Sequence, residues 1–148
     1  MRWTARAWIV GALIAAPLLL AACGGRGEED NAPPPAVAEH VKGTDITRVK
    51  LTAEAAKLIG LKTTAVRSDG PGTRLTVIPY AAVLYDPDGK TWTYTSPRPL
   101  VFQRIGIHVA RIDGKSAILT KGPPVGTPVV TAGATEIWGV EYGEIQED

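Results

Sequence analysis

The chain has 148 residues, with 16 basic and 15 acidic side chains and a formal charge of +1. That length holds one small domain plus a leader or tail, and the balanced charge gives no electrostatic drive toward nucleic acid. A single cysteine excludes an intrachain disulfide, so the fold rests on its apolar core, and 16 Gly with 12 Pro predict many turns and few long helices.

Met1–Arg6 (MRWTAR) carries Arg2 and Arg6, and Ala7–Leu20 (AWIVGALIAAPLLL) is uncharged. A basic start followed by an apolar run of this length has the form of a signal peptide, residues 1–22. The run is short for a bilayer span, and Pro17 interrupts a helix. It ends in Leu20-Ala21-Ala22-Cys23, with small residues where a signal peptidase needs them. This tetrapeptide resembles the bacterial lipobox. The resemblance implies cleavage before Cys23 and lipidation of Cys23, with palmitate among the acyl chains; several chains anchor stably where one binds marginally. The mature protein is then held on the outer side of the cytoplasmic membrane, the periplasmic side in a Gram-negative cell. Losing Arg2 and Arg6 leaves it one charge to the acidic side.

Residues 23–45 are rich in Gly, Pro, Glu and Asp without apolar periodicity. They are expected to be a disordered tether, with Pro33–Pro35 a short stiff piece. Some twenty extended residues reach roughly 60 Å. His40 stands beside Glu39, but one His without a second is a weak ligand set, and His40 reads as a solvated linker residue. No metal and no cofactor are expected.

The folded part is expected over 46–143, with 144–148 an acidic tail. Residues 46–51 form an imperfect strand pattern. Thr52 is a good N-cap for AEAAKLI, Glu54 suits the helix dipole, and Gly60 is a natural C′ residue, which predicts a helix over 53–59. LKTTAVR (61–67) reads as a strand and SDGPG (68–72) as a turn. RLTVI (74–78) is a strand that Pro79 ends. AAVLY (81–85) and TWTYT (91–95) form a hairpin around the tight turn Asp86-Pro87-Asp88-Gly89, with TWTYT half-buried. After the Pro-rich link 96–99, residues 100–109 and 116–120 form a second hairpin through Asp113-Gly114. Loop 121–128 contains Gly122 and Gly126, and the short strand 129–131 ends at Gly133. Residues 136–140 fit either one helical turn or a last strand. Seven or eight short strands about ten residues apart point to a mainly β fold. That fold is a small barrel or sandwich of antiparallel strands with one short helix. Trp92, Tyr94, Phe102 and Trp138 are expected in the core or at its rim.

No catalytic constellation stands out. His108, on IGIHVAR, has no second His or Cys near it in sequence. Ser68, Ser96 and Ser116 sit in no nucleophile elbow, and Asp86 and Asp88 flank a turn where they bond backbone amides. There is no P-loop and no dinucleotide fingerprint. The expectation is a protein that is not an enzyme.

Three stretches carry a family resemblance: VKLTAEAAKLIGLKTTAV (49–66), IPYAAVLYDPDGKTWTYT (78–95) and PLVFQRIGIHVARIDGKSAILTKGPPVGTPVVTAGATEIWGVEYG (99–143). In this order they resemble the periplasmic adaptor subunits, or membrane fusion proteins, of resistance-nodulation-division efflux pumps, in the heavy-metal branch. The resemblance covers nearly all of the folded part. It implies the β-barrel and membrane-proximal portions of an adaptor, with an inner-membrane transporter or a full-length adaptor as partner. It does not extend to a lipoyl-like domain or a long helical hairpin, since no heptads are present. Pro123-Pro124 and Thr127 also depart from the usual loop, where a leucine-led sequence and an acidic residue are common. The expectation is a lipid-anchored, non-enzymatic, truncated or auxiliary transport subunit. The alternative is a stand-alone lipoprotein that binds a small ligand or a metal ion.

Overall fold

The computed structural model describes residues 33–44 and 46–145. They form a mainly β structure in which every strand pair is antiparallel. In chain order the elements are β1 (Ala36–His40), β2 (Thr47–Leu51), α1 (Ala53–Leu58), β3 (Lys62–Ala65), β4 (Arg67–Ser68) and β5 (Thr76–Pro79). A 3-10 turn (Tyr80–Ala82) leads to β6 (Leu84–Tyr85), β7 (Thr91–Arg98), β8 (Val101–Asp113), β9 (Ser116–Lys121), β10 (Pro128–Ala132) and α2 (Ala134–Ile145).

The neighbours run β3-β10-β7-β8-β9-β5-β4. β3 and β4 belong to one run of chain, interrupted only at Val66, so the sheet returns almost to its own start as a nearly closed barrel. Val66 bridges the interruption. Its N–H donates to the Thr127 carbonyl and its carbonyl accepts from the Gly126 N–H, both at 2.9 Å. Near-closure leaves few unpaired strand edges.

β8 is the long strand of the fold. One edge pairs with β7. The other carries β2 at Val101–Gln103 and β9 at His108–Asp113. β1 then adds outside β2. Alternation along the shared strands sends side chains to two separate cores. Val66, Ile78, Ala82, Val83, Ile107, Ala117, Leu119 and Val129 fill the barrel. Val49, Leu51, Ala56, Tyr94, Phe102, Val130, Ala134 and Ile137 pack outside it, beneath α1 and α2. Adjacent Val129 and Val130 of β10 are both 0% exposed because each enters a different core.

The mainly β, barrel-like expectation holds, and so do its local signals. Thr52 caps α1 by accepting from the Ala55 N–H at 3.1 Å, and Gly60 has φ +61°. Tyr94 and Phe102 are in the core, with Trp92 and Trp138 half-buried beside it.

Four expectations need correction. The expected tether contains β1, registered from Ala36↔Leu51 to His40↔Thr47. Its inward side chains are the small Ala36 and Ala38, too weakly apolar to mark a strand, and the free edge of β2 supplies its hydrogen bonds. Residues 136–140 lie inside α2, a 12-residue helix that also enters the expected tail, so the fold has two helices instead of one. TWTYT is not half-buried: Thr93, Tyr94 and Thr95 are all buried, because β7 separates the two cores. Residues 96–98 of the expected Pro-rich link continue β7 through a bulge between Thr95 and Arg98.

Candidate functional site

The one concentration of buried polar chemistry among the described residues lies where α2 meets the sheet. Within 134–143 of α2 the buried residues are Ala134, Ile137 and Glu141, which share one helical face by their spacing. Glu141 therefore occupies a core position, 3% exposed. A carboxylate there is costly unless it is paired and hydrogen-bonded. Both its oxygens have partners. The Tyr94 hydroxyl donates to Oε2, and Arg104 Nη2 lies 3.1 Å from Oε1.

Alternation along β7 and β8 places these partners. Tyr94 and Arg104 are opposite each other in register, one inside the core and the other at its rim. The Arg104 guanidinium lies 4.6 Å from the centre of the Trp92 ring and 5.7 Å from that of Tyr142. Trp138 packs against Tyr142 with centroids 5.6 Å apart. Burial, and then the hydrogen bond to the Glu141 carboxylate, push the Tyr94 phenol well above its ordinary value, so Tyr94 stays protonated and remains the donor. Glu141, Tyr94 and Arg104 satisfy one another, while Trp138 Nε1, buried beside them, has no hydrogen-bond partner among the described residues. The cluster is suited to holding α2 at one angle.

The turn residues singled out by sequence are spread along the chain and make no common site. Pro79 ends β5 and precedes the 3-10 turn. Asp86 organises its turn, accepting from the Lys90 N–H through Oδ1 and from Trp92 Nε1 through Oδ2, each at 2.8 Å. The Trp92 bond, chiefly, holds the Asp86 carboxyl below its ordinary value. Gly89, Gly114, Gly126 and Gly133 all have positive φ. Gly122 does not. There a Cβ would lie 2.6 Å from Leu119 Cδ1, so close approach to the barrel core selects glycine. At Gly133 both reasons apply: φ is +85°, and a Cβ would lie 3.1 Å from Ile59 Cδ1. Cys23 lies outside the described residues.

His108 is exposed on β8, opposite Lys121, in an open groove of about 380 Å³ with Lys90 and Trp92. The hydroxyls of Ser68 and Ser96 donate to the nearby carbonyls of Gly70 and Arg98. Among the described residues no three His, Cys, Asp or Glu side chains group as a metal site. Among those residues, no helix is long and apolar enough to cross a membrane.

Sequence reading missed Glu141 and Arg104. The spacing of Ala134, Ile137 and Glu141 was a usable signal, but only once 134–145 is read as a helix. No family model, curated protein or solved structure matches the chain.

Proposed function

We propose that this chain is a lipid-anchored, extracytoplasmic, non-enzymatic adaptor-like module that associates with a resistance-nodulation-division efflux complex as a truncated or auxiliary subunit. The observation that carries the reading is the ordered resemblance of 49–66, 78–95 and 99–143 to the adaptor family. Support comes from where those stretches fall. The first supplies β2, α1 and β3, the second β6 and most of β7, and the third β8 to β10 and most of α2. With β1, β4 and the start of β5 from outside them, they build both a barrel and an adjoining β/α lobe, as the barrel and membrane-proximal portions of an adaptor require. Cys23 is the anchor in this reading, and the segment before β1 keeps the domain near the membrane. Leu58 and Val125, 88% and 59% exposed, are apolar points available to a partner.

The test is mild crosslinking on membranes followed by pull-down, with Cys23→Ala as control. Recovery of an inner-membrane transporter, lost in the control, is the expected result. Recovery of the lipidated protein alone sinks the reading.

A further inference from the structure

The face of β8 that carries Ile105, Ile107 and Val109 toward the barrel core carries Val101 and Gln103, both half-buried, beyond that core at its other end. Strand register assembles a cationic surface around them. One row across the sheet reads Val37, Lys50, Val101, Arg98, and the next reads Glu39, Arg48, Gln103, Thr95. The bulge in β7 is what brings Arg98 to this face, since an unbroken register would pair a different residue with Val101. The result is a groove of about 530 Å³ between the β1–β2 hairpin and the Arg98–Val101 turn. That size lies within the roughly 300–1,000 Å³ of small-ligand sites.

Arg48, Lys50 and Arg98 all line this groove, against one carboxylate, Glu39. Among the described residues, none of these four enters an ion pair. Arg48 is held in place from behind: its Nε donates to Gln103 Oε1 at 3.2 Å, which leaves its terminal nitrogens as donors. The walls are apolar at Val41, Pro99 and Val101. Leu100 fixes the turn at φ +59° and is partly buried in the outer core, so the backbone between Arg98 and Val101 is anchored. Two guanidinium forks and an ammonium around an apolar floor match a phosphate ester better than a lone carboxylate, because each fork engages two oxygens.

We propose that this groove binds a phosphate ester through Arg48, Lys50 and Arg98, the phosphate belonging either to a phospholipid headgroup or to a soluble molecule. The chemistry stands apart from the efflux reading and from lipidation of Cys23. The test follows the rate at which Lys50 is acylated by an amine-reactive reagent, by mass spectrometry on the full chain. Lys115, at the opposite end of β8, is the internal control. In neutral detergent, glycerol phosphate is expected to slow Lys50 about tenfold at a concentration near ten times its dissociation constant. Sodium acetate at equal ionic strength is expected to leave it unchanged. Arg98→Gln, at an exposed position, is expected to raise the dissociation constant about tenfold, which cuts the protection at that concentration to about twofold. In vesicles, phosphatidylcholine alone is compared with phosphatidylcholine mixed with phosphatidylglycerol. Protection by glycerol phosphate assigns a soluble ester, and protection only on the mixed vesicles assigns the headgroup. The proposal falls if neither ligand protects Lys50, if acetate or Lys115 responds equally, or if Arg98→Gln leaves the protection intact.

Discussion

The two cores share β7, β8 and β10 yet are built from different chemistry. The barrel side is mostly aliphatic: Ile78, Leu119 and Val129 are fully buried, a nearly closed ring of strands satisfies the backbone around them, and its buried polar side chains are the small Thr93 and Thr95 of β7. The outer core is covered by a helix laid on an open sheet face. Its apolar contacts are non-directional and leave the position of α2 loosely specified. A buried carboxylate, a phenol and a guanidinium supply the direction, because Glu141 is satisfied only where Tyr94 and Arg104 both reach it. Closure by hydrogen-bonded strands makes charged side chains unnecessary in one core, and its absence makes them useful in the other.

The largest effect that separates the cores is expected from Leu119→Ala. It empties the centre of the barrel and costs about 4 kcal/mol in urea unfolding, with amide protection lost in both cores because β8 serves both. Glu141→Ala is expected to cost about 3 kcal/mol, since it leaves Tyr94 and Arg104 without their acceptor. Its signature is local: hydrogen exchange rises in α2 and β1 before it rises in β5 and β9. Equal loss in both cores would mean that α2 is not positioned by this cluster.

Tyr94→Phe keeps the ring and removes only the donor, at a cost of about 1.5 kcal/mol at neutral pH. It also carries a pH signature. The folded state holds the Tyr94 phenol above its ordinary value of 10.0, so its contribution is full below that value and declines as the pH rises above it. Denaturant midpoints across the alkaline range are expected to fall less in Tyr94→Phe than in the parent. The smallest effect is in the β6–β7 turn. Asp86 is held below its ordinary value of 3.8, so its support for Trp92 is complete above that value and lost as the pH falls through the lowered one. The Trp92 indole N–H resonance should report this titration, and Asp86→Asn should abolish it while leaving both cores folded.

Much of the fold was legible because many of its signals are local. The turn at Asp86–Lys90, the hairpin at Asp113-Gly114 and the Thr52 cap each depend on residues a few positions apart, and each is present. The polar cluster was not legible. Arg104 reads as one surface charge among many on a strand, and Glu141 as one charge near the end of the folded part. Only the meeting of β7, β8 and α2 makes them partners, across 47 positions between Tyr94 and Glu141. The cationic groove was hidden for the same reason, since Lys50 and Arg98 share a row only through the register of β2, β8 and β7.

The sequence by itself determined the turns at Asp86–Lys90 and Asp113-Gly114, most of the extended segments between them and around them, and that Thr52 caps α1, because steric limits on glycine and proline and the reach of a short side chain act within a few residues. The tertiary structure alone decided that Ala36–His40 is a strand, that α2 lies across the outer core, and that a single strand feeds two cores. Those outcomes depend on which edge is free to pair and which face needs cover, and both are set by residues distant in the chain.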